Sequence, residues 1–210
     1  MTQPTQKHER RNIINERAIA KIETRDDGKH HCVGYSAVFY RAGVAGTEFE
    51  MFENTFERIM PGAFDDIGSD DVRGLFNHSA LHILGRNVSG TLKLDVDETG
   101  LRYDITLPDT QVGRDLVETI SRGDVSGSSF AFRVVDDNWS TSTTDEVEVT
   151  VREVFKVKTF DVGPVTYPAY TGTSTDVANR SLDSYRLEIS QRLKSKTSRS
   201  RRAKLARLRK

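Results

Sequence analysis

Ser126-Gly127-Ser128-Ser129-Phe130-Ala131-Phe132 is a small polar run that passes directly into an alternation of large and small apolar residues. The alternation has the period of a strand. Gly127 and the serines leave open space around a hydroxyl, while Phe130 and Phe132 anchor the backbone beneath it. A nucleophilic serine needs both conditions and a base, and Asn77-His78-Ser79 lies upstream to offer an imidazole.

Outward from this stretch, strand signals dominate. Residues 31–40 read as a first strand, followed by a glycine-rich turn at 41–46 and a strand-like stretch at 49–53. Pro61-Gly62-Ala63-Phe64 reads as a tight turn or helix start, and 72–78 as a buried strand that ends at His78. Residues 91–96 and 101–107 alternate with period two and are joined by Asp97-Glu98-Thr99-Gly100 as a hairpin. Asp109 or Thr110 caps a helix running to Arg122, with Val112, Leu116, Val117 and Ile120 on one face and Gly123 as the stop.

Beyond the 126–135 strand, the polar, Ser/Thr-rich residues 136–145 read as a surface loop and a site for nicking. A long strand from Val147 continues through Asp161-Val162-Gly163-Pro164-Val165 to Tyr167-Pro168-Ala169-Tyr170. Residues 171–179 are linker-like, and from Ser181 the pattern is imperfectly helical. The expected fold class is α+β, mainly β, with an antiparallel β-barrel or sandwich decorated by helices. The expected organisation is an N-terminal arm over 1–30, a main domain over 31–175 and a basic extension over 176–210.

The chain has 210 residues, enough for one domain with extensions, and a net charge of zero. That zero conceals an asymmetry. Residues 192–210 hold ten Lys/Arg and no Asp/Glu, which leaves 21 basic against 31 acidic residues, a net −10, for the rest. The basic tail allows weak nucleic-acid binding or docking on an acidic protein surface, and nucleic acid is not expected as the main partner. No apolar run reaches the roughly 20 residues of a membrane span, and no secretory signal is recognised, so no membrane partner is expected. Cys32 is the only cysteine; it precedes an apolar run and reads as a buried structural residue, with intracellular residence the simpler setting.

Three constellations carry chemistry. His78 can accept a proton from a serine in the 126–129 run, with Glu153 or Asp161 orienting the imidazole; the two acids share a side by parity on a regular strand. His78 and His82 are four apart, but Ser79 stands where a metalloprotease needs its glutamate, and no further Cys/His cluster offers ligands. No metal and no cofactor are therefore expected. The third is the basic tail itself.

Several motifs together carry a resemblance. Pro61-Gly62-Ala63-Phe64, Phe76-Asn77-His78, Leu84-Gly85-Arg86, Gly90-Thr91-Leu92 and Asp97-Glu98-Thr99-Gly100-Leu101 come in one order. They are followed by Leu107-Pro108-Asp109-Thr110, the segment from Arg122 to Phe132, Arg152, and Asp161 to Tyr170. Over residues 34–170 this series resembles the tailed-phage prohead serine proteases. The resemblance implies a serine endopeptidase that cleaves scaffold or a coat-protein extension, and itself, during capsid maturation. It implies a herpesvirus-assemblin-like fold, an antiparallel β-barrel surrounded by helices with the site on the barrel's outer face.

By position, the resemblance selects His78 and Ser129. The herpesvirus enzymes use a second histidine as third member, but no histidine follows His82 here. Asp161 is then the expected third member and Glu153 the alternative. The implied partners are the phage major capsid protein, a scaffold protein or both, with room for a homo-oligomer. The implied location is the host cytoplasm, inside the prohead. The competing reading is a non-catalytic scaffold or capsid-assembly protein of the same fold.

Overall fold

A computed structural model describes residues 8–13, 19–144, 147–167 and 181–191, with Asn12, Ile13 and Thr144 described by their main chain alone. In chain order the strands are β1 (Glu9–Ile13), β2 (Lys21–Thr24), β3 (His30–Val38), β4 (Phe49–Phe52) and β5 (Thr55–Ile59). A 3-10 turn at Ile67–Ser69 precedes β6 (Arg73–Leu75), β7 (Ile83–Arg86), β8 (Leu92–Val96) and β9 (Gly100–Thr106). Helix α1 (Gln111–Ser121) then leads into β10 (Gly127–Thr144) and β11 (Val147–Val165). A second helix, α2, spans 181–191. The chain divides into two units, Met1–Ser174 and Thr175–Lys210. The expected end of the last strand at 168–170, the linker at 171–179 and the basic tail lie outside the described residues.

The 126–132 stretch opens the longest ribbon of the molecule. β10 and β11 pair antiparallel from Gly127↔Val165 out to Thr144↔Val147. Residues 136–144, expected as a surface loop, are therefore strand. They are polar on both faces, and a ribbon that projects into water has the composition of a loop. Cross-strand contacts supply its register instead: Arg152 Nε donates to Asp137 Oδ2 at 2.6 Å, and the Arg152 guanidinium lies over the Trp139 ring, 5.4 Å from its centroid.

Around this ribbon, β1 pairs antiparallel with β10, while β5 and β6 run parallel to β11 along different stretches of its length. The seven-stranded sheet is completed by β4 beside β5 and by β7 beside β6; β2, β3, β9 and β8 form a second, four-stranded sheet in that order. This corrects the expected barrel. About half of the chain is strand, but the strands form two sheets with no closed barrel, and the helices do not surround one. Alternating sequence specifies strands but not closure, because closure depends on which edges meet and with what stagger. Here β11 is long enough to carry two short parallel neighbours, a pairing that local sequence does not announce.

The two sheets enclose one core. Phe130 and Phe132 stack at 4.4 Å, Phe64 meets Phe130 edge-on at 5.8 Å, and all three rings are buried with Tyr103, Leu101 and Ile105 of β9. Such ring pairs contribute about 0.5–1.5 kcal/mol beyond their buried area. Helix α1 begins where expected. Thr110 is its N-cap and accepts from Gly113 N, while Leu116 and Ile120 enter the core and Gly123 follows at φ 83°.

Cys32 is fully buried, and burial pushes its thiol up to about 12. That matches the structural reading of the residue. The expected N-terminal arm contributes strands to both sheets through β1 and β2.

Candidate active site

Side chains alternate along β10. Ser128 faces the core, where its Oγ and the Tyr103 hydroxyl are 2.8 Å apart, and Phe130 and Phe132 follow on that side. Ser129 faces the opposite side of the sheet. Ser126 precedes the strand and is exposed. Alternation thus separates the three serines that composition left equivalent.

His78 reaches Ser129 from β6. That strand runs parallel to β11 through Asp161↔Arg73 and Val162↔Gly74, so its end at Leu75 delivers the chain above the β11 face. A sharp turn follows, with Asn77 at φ 53° and His78 at φ 54°. Two successive non-glycine residues in the left-handed region store strain, which persists only where neighbours over-determine it. Here Asn77 N donates to Pro164 O at 3.1 Å, Thr166 N donates to Asn77 Oδ1 at 2.9 Å, and Asn77 Nδ2 donates to Thr166 Oγ1 at 3.0 Å. The turn is bolted to the end of β11.

His78 Nε2 lies 2.6 Å from Ser129 Oγ and His78 Nδ1 lies 2.5 Å from Asp161 Oδ1. Asp161 pairs with Ala131 across the ribbon, beside Ser129↔Gly163. The expected alternative, Glu153, is not brought to the histidine. It sits eight residues back along β11, opposite Asn138, which puts it roughly 25 Å away at strand rise. Two of the register shifts, at Ala131/Phe132 and Asp136/Asp137, each add a residue on β11 and cancel, so both acids keep the face opposite the buried Val154 and Val162, and distance along the strand separates them.

Gly163 permits this arrangement at close quarters. It adopts φ 153°, and a Cβ there would stand 2.2 Å from Leu75 O, so β6 can approach β11 only over glycine. An Asp–His–Ser chain of this order holds the imidazole in the tautomer that leaves Nε2 free to take the hydroxyl proton. No group of three or more His, Cys, Asp or Glu able to hold a metal occurs among the described residues.

Against known proteins, the family model of the caudovirus prohead serine proteases matches residues 18–188. The chain belongs to this family. No curated protein and no solved structure matches it. Membership makes this a prohead serine protease associated with the phage capsid, and it implies interaction with capsid or scaffold proteins. Among the described residues, no helix is long and apolar enough to cross a membrane.

One part of the prohead protease site was invisible in the sequence reading. β1 lies on the free side of β10 in the register Arg11↔Phe130 and Asn12↔Ser129. Ser129 is consequently fully buried, and Arg11 O, 2.9 Å from its Oγ, competes with His78 Nε2 for the one hydroxyl proton. Beneath β1, Glu9, Arg11, Glu57 and Arg152 form a buried ionic cluster. Burial alone would raise the Glu57 carboxyl, but Arg11 and Arg152 outweigh it and hold it below the usual carboxylate range. The available signal was Arg152, a lone arginine in a long strand pattern; Glu9-Arg10-Arg11 carried none.

Proposed function

We propose that this prohead protease is a serine endopeptidase in which Ser129 is the nucleophile, His78 the general base and acid, and Asp161 the group that orients the imidazole. Ser129 Oγ attacks the scissile carbonyl carbon as its proton passes to His78 Nε2. The tetrahedral oxyanion collapses, the C–N bond breaks, and His78 returns the proton to the leaving amine. Water, deprotonated by His78, then attacks the acyl-Ser129 ester and releases the acid. Asp161 accepts from His78 Nδ1–H throughout and stabilises the imidazolium. The observation that carries this reading is the chain of contacts from Ser129 through His78 to Asp161, at 2.6 and 2.5 Å.

Its substrates are the scaffold or the scaffolding segment of the coat protein, together with its own chain, within the prohead in the host cytoplasm. Co-expression with the coat and scaffold proteins tests this. The unaltered chain cuts them, and Ser129→Ala leaves them whole; normal processing by Ser129→Ala would end the assignment. The complete burial of Ser129 favours one rival, a non-catalytic assembly protein of the same fold. That rival does not react with a fluorophosphonate probe under any condition, whereas the peptidase labels at Ser129.

A further inference from the structure

Resting on that peptidase reading, the position of β1 identifies what the site accepts. A peptide carbonyl seated beside the nucleophile marks where an extended peptide can lie on the acyl side of a scissile bond. Arg11 holds that place: its O accepts from Ser129 Oγ, and its strand pairs antiparallel with β10. Its side chain fills a closed pocket. Nε and Nη2 donate to Glu57 Oε1 and Oε2 at 2.6 and 2.9 Å, and the guanidinium lies 5.5 and 5.4 Å from the centroids of Phe49 and Phe132. Two residues earlier, Glu9 Oε2 accepts from Arg152 Nη1 at 2.9 Å and from Arg11 Nη2 at 2.6 Å.

We propose that Glu57 and Arg152 form the substrate-reading pocket of this protease, and that β1 occupies it as an internal substrate mimic. The preferred substrate is an extended peptide with arginine on the acyl side of the cut and an acidic residue two positions before it. Without Glu9 and Arg11 the pocket keeps Glu57, Arg152 and Asp137, one net negative charge, and it welcomes a base and its acidic companion in the same register. Glu57 binds arginine through two parallel bonds between flanking rings, a geometry lysine cannot reproduce. The substrate adds to the β10 edge as a strand, so main-chain pairing supplies affinity and the pocket supplies selection. Because β1 and a substrate compete for one edge, the enzyme is latent until β1 is displaced.

The test uses the full chain carrying Ser129→Ala, with and without Arg11→Ala, and a fluorescent peptide, Thr-Gln-Lys-His-Glu-Arg-Arg-Asn-Ile-Ile. Arg11→Ala is expected to strengthen peptide binding at least tenfold, by emptying the pocket. Replacing the peptide's second arginine by glutamine is expected to weaken it at least tenfold. Equal affinity for both peptides would overturn the proposal. Should Arg11→Ala fail to fold, mass spectrometry of the fragments cut by the unaltered chain decides: new C-termini ending in Arg support the pocket, and termini without basic residues refute it. Fluorophosphonate labelling separates the two readings. Labelling with non-basic cuts overturns the pocket and leaves the peptidase standing; arginine-dependent binding without labelling does the reverse.

Discussion

Asn77 and Thr166 hold each other by a reciprocal pair of bonds, Thr166 N to Asn77 Oδ1 and Asn77 Nδ2 to Thr166 Oγ1, at 2.9 and 3.0 Å. The pair locks the left-handed turn that carries His78 to the end of β11. Asparagine suits the place twice over, since it tolerates positive φ and its amide offers both a donor and an acceptor.

Asn77→Ala should therefore lower kcat without a matching change in KM. A displacement of about 1 Å costs roughly 10²-fold in rate, and Asn77→Gly, which relieves the backbone but not the lost clamp, should recover only part of it. Fluorophosphonate labelling rates read the same effect. Wild-type labelling by Asn77→Ala would show that the clamp does not position the histidine.

Ser129→Ala and His78→Ala should each remove activity by several orders of magnitude, with Asp161→Ala costing one to two orders less. Glu153→Ala should cut at the wild-type rate. A Glu153 variant as damaged as Asp161→Ala would reopen the choice between the two acids.

Gly163→Ala tests the close approach of β6 to β11. Its Cβ would overlap Leu75 O at 2.2 Å, and the φ of 153° is one that alanine disfavours. The expected result is a destabilisation of about 2 kcal/mol or more, measured by urea unfolding. An unchanged midpoint would mean that the two strands separate more easily than their packing implies.

Stability should fall in acid through the Glu57 cluster. Unfolded, the Glu57 carboxyl titrates near 4.5; folded, Arg11 and Arg152 hold it lower. The contribution is thus complete above the unfolded value and is lost as pH falls through the folded one. Urea midpoints from pH 7 down to 3 should drop more steeply for the unaltered chain than for Glu57→Gln. Arg152→Ala, which strands buried carboxylates, should cost about 3–5 kcal/mol at neutral pH. Parallel pH curves for the unaltered chain and Glu57→Gln would remove Glu57 from the acid response.

Cys32 offers a clean report on folding. Its thiol is fully buried and raised to about 12, so Ellman's reagent should leave it untouched in the native state and react once the chain is unfolded. Rapid reaction of the folded protein would contradict the burial.

Much of the molecule was legible in the residues. The β8–β9 hairpin showed through period-two alternation and its Asp-Glu-Thr-Gly turn, α1 through its cap and apolar face, and His78 and Ser129 through their motifs. These are local signals, carried by neighbours along the chain. Asp161 and Glu153 were not separable in that way, because both lie on one face of β11 and only its pairing with β6, which brings His78 against Asp161, distinguishes them. Closure also lay beyond local pattern: alternating strands suggested a barrel, while the open edges of two sheets follow from which strands meet.

By itself, the sequence determined the mainly-β character, the helix at 111–121 and the family. Only the tertiary structure decided that Asp161 stands against His78, that a polar loop is ribbon, and that Arg11 lies over Ser129. Main-chain pairing is blind to side-chain identity, so a polar N-terminal segment such as β1 can take the β10 edge without any periodic mark in its own sequence. The opening Ser-Gly-Ser-Ser-Phe-Ala-Phe stretch named a strand and a hydroxyl; the fold set Ser129 against His78 and laid β1 over it.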